Sequence, residues 1–166
     1  VLGVGFGAVV ALELALAESE LVESAVLVEP PLFDTLTRAT EGMSDDVAAI
    51  RDAAEEGGEE AVWRLYLTGG LPTLGVGAKR LGGSNADAGP SAAHTLLVEL
   101  PAVPDWPLDP VRVAELDAPV TVATMPSTPG LLLEAADSLT PRIPGARREA
   151  AAEDGVAAIP GLLRGP

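Results

Sequence analysis

The sequence predicts an α/β fold: a partial, doubly wound parallel sheet interrupted by a helical insertion. Three observations carry that expectation. Two short, continuous apolar runs are bounded by proline, a glycine-rich turn joins a strand to a helix near the start, and the middle of the chain holds amphipathic helices without a strand pattern.

Val1 to Val4 reads as a strand, Gly5 and Gly7 as a tight turn, and Ala8 to Ala17 as a helix rich in Ala, Leu and Glu, which are good helix formers. The apolar residues of that helix run almost all round it, the pattern of a buried helix. Ser24 to Glu29 is a continuous apolar run stopped by Pro30 and Pro31, as in an interior parallel strand covered on both faces. From Asp34 to about Pro110 the texture is helical, with segments at Ser44 to Glu56, Glu59 to Thr68 and Ser91 to Leu100. Ser44 and Ser91 are the expected N-caps, Gly69-Gly70 and Pro101 the expected stops, and Gly75 to Pro90 a long connection. Pro119 to Thr124 is a second buried strand, Gly130 to Leu139 a helix, and Arg147 to Ala151 a weak last strand behind the turn at Pro144-Gly145. No period of the length used by solenoids or propellers is present. The expected division is residues 1–33 and 111–166 as the sheet-bearing core and residues 34–110 as the helical insertion.

Composition limits the functions open to this chain. Its 166 residues, 48% hydrophobic and 21% charged, suffice for one domain with a real core, built mainly from Ala, Val and Leu because aromatics are only 3%. A formal charge of −15 repels phosphate backbones and anionic headgroups, so nucleic acid and membrane partners are not expected. No apolar run approaches the ~20 residues of a membrane span. The absence of cysteine removes disulfides, thiolate metal sites and a cysteine nucleophile; a cytoplasmic location is the default expectation.

The turn Gly3-Val4-Gly5-Phe6-Gly7-Ala8 carries the chemical content and reads in two ways. As a nucleophile elbow, G-x-S-x-G, it places Gly5 where the serine stands. As a dinucleotide fingerprint, G-x-G-x-x-G/A, it uses Gly3, Gly5 and Ala8, with Glu29 as the ribose ligand. Glu29 lies somewhat far along for the second reading.

The stretch Leu14 to Leu32 resembles the α/β-hydrolase superfamily in its order of helix, a Glu20-Leu21-Val22 link, strand and proline-rich exit. Leu116-Asp117-Ala118-Pro119-Val120-Thr121-Val122 is similar to the strand pattern I-x-x-P-V-L-V of that family, and Ile143-Pro144-Gly145-Ala146 to the turn before its last strand. Leu100 to Pro107 looks like the return from a cap to the core. The resemblance implies a doubly wound parallel sheet, hydrolysis of small ester- or amide-type substrates, and a cap that shapes a pocket for a small-molecule ligand. An intact member also needs upstream strands and an oxyanion loop, so the sheet is expected to be incomplete and the chain to continue before Val1.

The family's triad is degenerate here. Gly5 offers no atom on which a covalent intermediate could form. The histidine is expected near Glu153, Asp154 and Gly155, ahead of Pro160, and none is there; His94, the one histidine, falls in a helix of the insertion. The acid can follow either of two strands in this fold. The loop after Thr124 reads Met125-Pro126-Ser127-Thr128, without a carboxylate, and Glu29 is the candidate after the earlier strand. The Phe6 amide remains as an oxyanion donor at the start of a helix. The expectation is therefore a pseudoenzyme, inactive or strongly impaired; the alternatives are a fragment of an active hydrolase or a dinucleotide-binding domain. No cofactor and no metal site are expected, and the sequence leaves the oligomeric state open. The acidic groups Asp45-Asp46, Glu55-Glu56 and Glu59-Glu60 read as solvated helix faces, and Trp63, Tyr66 and Leu67 as an apolar packing face.

Overall fold

The computed structural model describes residues 1–32, 36–73, 93–103 and 106–150. The chain divides into two compact units, Val1–Thr35 with Pro107–Pro166, and Leu36–Trp106. The expected connection Gly75 to Pro90, the N-cap Ser91, Ala151 and the loop around Glu153 to Gly155 lie outside the described residues.

The first unit holds a four-stranded sheet in the order β1-β2-β3-β4, with β1 at Leu2–Val4, β2 at Ala25–Val28, β3 at Val120–Thr124 and β4 at Arg147–Ala150. All three pairings are parallel, and Val4, Val28 and Ala123 lie side by side across it. Parallel neighbours need a crossover between them, and α1 at Phe6–Ala17 supplies the first, packing on β1 and β2. α5 at Gly130–Leu139 supplies the last and packs on β3.

The two inner strands are buried at every residue, which is why they read as unbroken apolar runs. Val26, Val28 and Ala123 form a buried cluster between them. β1 alternates instead, with Gly3 buried and Leu2 and Val4 exposed. α5 buries Leu132, Ala135, Ala136 and Leu139, spaced three, four and seven residues apart along one face. Each large aliphatic side chain taken out of water here contributes about 1.5–3 kcal/mol.

Two expectations about α1 are corrected. It begins at Phe6, so Gly7 is its second residue and not part of the turn. Nor is it buried all round: Ala8, Ala11, Leu12 and Ala15 form the inward stripe, while Val10 is 54% and Leu14 41% exposed.

A short helix absent from the sequence reading, α4 at Pro110–Ala114, leads into β3. Asp109 caps it, its Oδ1 accepting from the Val111 amide at 2.9 Å and the Arg112 amide at 3.4 Å. Arg112 in turn meets the Glu13 carboxylate of α1 at 2.8 Å.

Among the described residues, the second unit holds α2 at Thr37–Leu67, kinked at Gly57 and Gly58, and α3 at Ala93–Ala102, which pack on each other. The kink separates the two expected segments, and α2 ends just before Gly69-Gly70, as expected. Ser44 is not an N-cap, however, but lies about two turns inside α2. Met43 and Ile50, seven residues apart and fully buried, extend the apolar stripe upstream of it and outweigh its capping preference. Pro101 does not stop α3 but sits in its last turn, where a missing N–H forfeits a single intrahelical bond. Asp46 also departs from expectation, since it is 1% exposed and its Oδ2 accepts from the Thr73 amide at 3.1 Å. Trp63 is buried and stacks on Tyr66, with ring centroids 5.3 Å apart. Among the described residues no strand interrupts this unit.

Candidate functional site at the carboxyl edge of the sheet

Because the strands are parallel, the loops after β1, β2 and β3 all leave from one edge of the sheet, the edge where ligands bind in open α/β folds. The loop after β1 is one residue long. Gly5 adopts φ +57° and ψ −125°, donates its amide to the Val28 oxygen at 2.9 Å and accepts from the Ala8 amide at 2.9 Å. L side chains rarely adopt that backbone conformation, so glycine makes the sharp bend from strand to helix without strain.

Gly3 serves a different purpose. A Cβ there would run into the Gly7 carbonyl and lie 2.6 Å from the Ala8 Cα, so strand and helix meet at backbone distance. At Gly5, by contrast, a Cβ would meet nothing within 4 Å. A side chain at Gly5 would therefore project into open space.

Phe6, half-buried, is the first residue of α1. Its amide belongs to the first turn, which has no intrahelical acceptors, and the helix dipole places positive charge there.

Glu29 directly follows β2. It is 6% exposed, and its amide donates to the Ala123 oxygen at 2.9 Å. With φ +49° it is the one non-glycine residue among those described with a positive φ. The Thr128 hydroxyl donates to Glu29 Oε1. Thr128 Oγ1 also accepts from the Met125 amide at 2.7 Å, and the Thr128 amide donates to the Met125 oxygen at 3.0 Å. A side-chain pair thus ties the exit of β2 to the loop after β3.

Gly5, Phe6 and Glu29 therefore share one edge. His94 falls in α3 of the other unit. Thr128 is the residue of this edge not expected from the sequence, because the loop after β3 holds no carboxylate and a hydroxyl there carries no triad role. The available signal was a hydroxyl in the short proline-containing loop Met125-Pro126-Ser127-Thr128, where Ser and Thr side chains bond to nearby backbone. Among the described residues no group of three or more His, Cys, Asp or Glu could hold a metal ion, and no helix is long and apolar enough to cross a membrane.

Strand order separates the two readings of the glycine-rich turn. The dinucleotide fold returns to the other side of its first strand, in the order 3-2-1-4, and binds at that reversal. Here the order runs one way from β1 to β4.

Comparison with solved structures agrees. An alpha/beta hydrolase from Sphaerobacter thermophilus DSM 20745 is similar over 98% of this chain and 64% of its own, with 20% identity and a TM-score of 0.63. An N-acyl homoserine lactone degrading enzyme is similar over 99% of this chain and 65% of its own, with 17% identity and a TM-score of 0.60. A hydrolase from Pseudomonas aeruginosa PA01 is similar over 90% and 54%, with 19% identity and a TM-score of 0.55. The chain thus spans less than two thirds of the length of these structures. No family model and no curated protein matches the sequence. The likeness establishes the fold, that of the α/β hydrolases over part of its length.

Proposed function

We propose that the carboxyl edge of this sheet is a hydrolase-type site that has lost its nucleophile, so that it binds the carbonyl of small ester- or amide-type ligands without turning them over. The observation that carries this reading is Gly5. It stands at the strand-to-helix bend with φ +57°, at the sheet's carboxyl edge, with no side chain and open space where one would project.

In the triad mechanism a hydroxyl attacks, an imidazole takes its proton, and a carboxylate orients the imidazole. A glycine supplies none of the first step. Removing a triad nucleophile lowers turnover by about 10⁶, or about 8 kcal/mol of transition-state stabilisation, more than the remaining contacts supply. The Phe6 amide is left to donate to a carbonyl oxygen, and Glu29 takes the acid position after β2. The unit Leu36–Trp106 is inserted in the chain between β2 and β3, the point in the sequence where such folds carry a cap, and we assign it that role; a structural neighbour that is an N-acyl homoserine lactone degrading enzyme supports small ester- or amide-type compounds as the ligand class. A cytoplasmic location belongs to the same reading.

The test is labelling with a fluorophosphonate and turnover of p-nitrophenyl acetate. The chain is expected to take up no label and to leave ester hydrolysis at the buffer rate, while ethyl butyrate shifts the Phe6 and Gly7 amide resonances. Covalent labelling, or amides that ignore the ester, would overturn the reading.

A second reading is favoured by one observation, the coverage of only 54–65% of the neighbours' length. In it, a longer protein carrying this segment is the active hydrolase and draws its nucleophile from elsewhere. Label appearing on that longer protein, outside residues 1–166, would select it.

A further inference from the structure

Two independent observations single out the acid side of the site. Glu29 holds a backbone conformation that non-glycine residues rarely adopt, and such outliers cluster where a structure fixes a side chain for a purpose. Its carboxyl group is also buried, and it accepts from a hydroxyl presented by another loop. That loop, Met125 to Thr128, follows β3, the second strand after which the acid can stand in this fold, and it carries no carboxylate of its own.

We propose that Thr128 is the positioning residue for Glu29: the loop after β3 supplies a hydroxyl that holds the carboxylate arriving from β2. Thr128 Oγ1 can do this because it is fixed from behind. It accepts from the Met125 amide at 2.7 Å, which leaves its own proton to point at Glu29 Oε1. Met125 and Thr128 are further joined through the Thr128 amide and the Met125 oxygen, so the donor is built into a closed turn and not borne on a free rotamer. The acid half of the edge is therefore preorganised although the nucleophile half has no side chain. This assignment rests on reading the carboxyl edge as the ligand site.

Three variants test it in the full 166-residue chain: Thr128→Val, which keeps the branched shape and deletes the hydroxyl; Thr128→Ser, which keeps the hydroxyl; and Glu29→Gln, which keeps an acceptor oxygen. The readouts are amide hydrogen exchange at Met125 and the carbon-13 shift of the Glu29 side-chain carboxyl. Thr128→Val is expected to speed Met125 exchange at least about tenfold, as loss of one hydrogen bond worth about 1.4 kcal/mol does, and to move the Glu29 carboxyl resonance. Thr128→Ser should restore both to the native values, and Glu29→Gln should leave Met125 protected. A Glu29 resonance that is the same in Thr128→Val as in the native chain would overturn the proposal, as would failure of Thr128→Ser to restore it. Adding ethyl butyrate to the same samples separates the two claims. Amides of Phe6 and Gly7 that do not respond, with the Thr128 results as expected, would sink the site reading and leave the positioning pair standing.

Discussion

Gly3 and Gly5 stand two residues apart and are glycines for different reasons, which makes their replacement diagnostic. At Gly3 a methyl group must displace the backbone of Gly7 and Ala8, which no side-chain rotation relieves. Gly3→Ala is expected to cost about 3 kcal/mol, read as a lowered urea midpoint at unchanged slope. At Gly5 only the backbone conformation resists, since the space is open, and Gly5→Ser should fold with a loss of about 1–2 kcal/mol. An equal loss at the two positions would mean that the strand and helix do not meet as described. Both glycines were legible in the sequence as a motif. Which of them is steric and which conformational was not, because that depends on how closely α1 crosses β1.

At the scale of elements, α4 tests capping. The helix has five residues and leans on the Asp109 side chain for two amides, so Asp109→Ala should cost about 1 kcal/mol and Asp109→Asn much less in urea melts. α3 offers a pH test through Glu99, whose carboxyl burial holds above the ordinary glutamate value. The folded state then binds the proton more tightly than the unfolded chain. The favourable contribution is present at low pH and is lost as pH rises from the ordinary value through the raised one. Glu99→Gln is expected to melt with the native chain at pH 4 and above it at pH 7; a difference that grows on acidification would contradict the assignment.

The elements also show where sequence reading works. β2, β3 and α5 were legible because their patterns are set by burial on both faces or on one stripe, and burial is a property of composition along a few residues. The start of α2 was not, since Ser44 carries a capping preference worth about 1 kcal/mol while the fully buried Met43 beside it outweighs that. α4 was missed for its length, too short to display a period.

For the whole molecule, charge and apolar surface pull in opposite directions. The formal charge of −15 favours dispersion. Val10 and Leu14 on α1, Leu2 and Val4 on β1, and Leu21, which is 75% exposed, leave apolar area in water. The 166-residue chain is therefore expected to enhance the fluorescence of anilinonaphthalene sulfonate and to associate as salt screens its charge. Val10→Lys with Leu14→Lys should reduce both effects in sedimentation velocity and dye titration. A native chain that stays monomeric in 0.5 M salt and leaves the dye dark would contradict this.

The sequence by itself determined the parallel α/β class, the buried strands, the bend at Gly5 and the lack of a reactive side chain there, because each depends on residue type and near-neighbour spacing. Only the tertiary structure decided that Glu29 and Thr128, 99 positions apart, meet, that the described strands lie in the order β1-β2-β3-β4, and that Val10 and Leu14 of α1 are exposed in this segment. These depend on which strands lie side by side, and hydrogen bonds between distant loops leave no periodicity for a sequence to display.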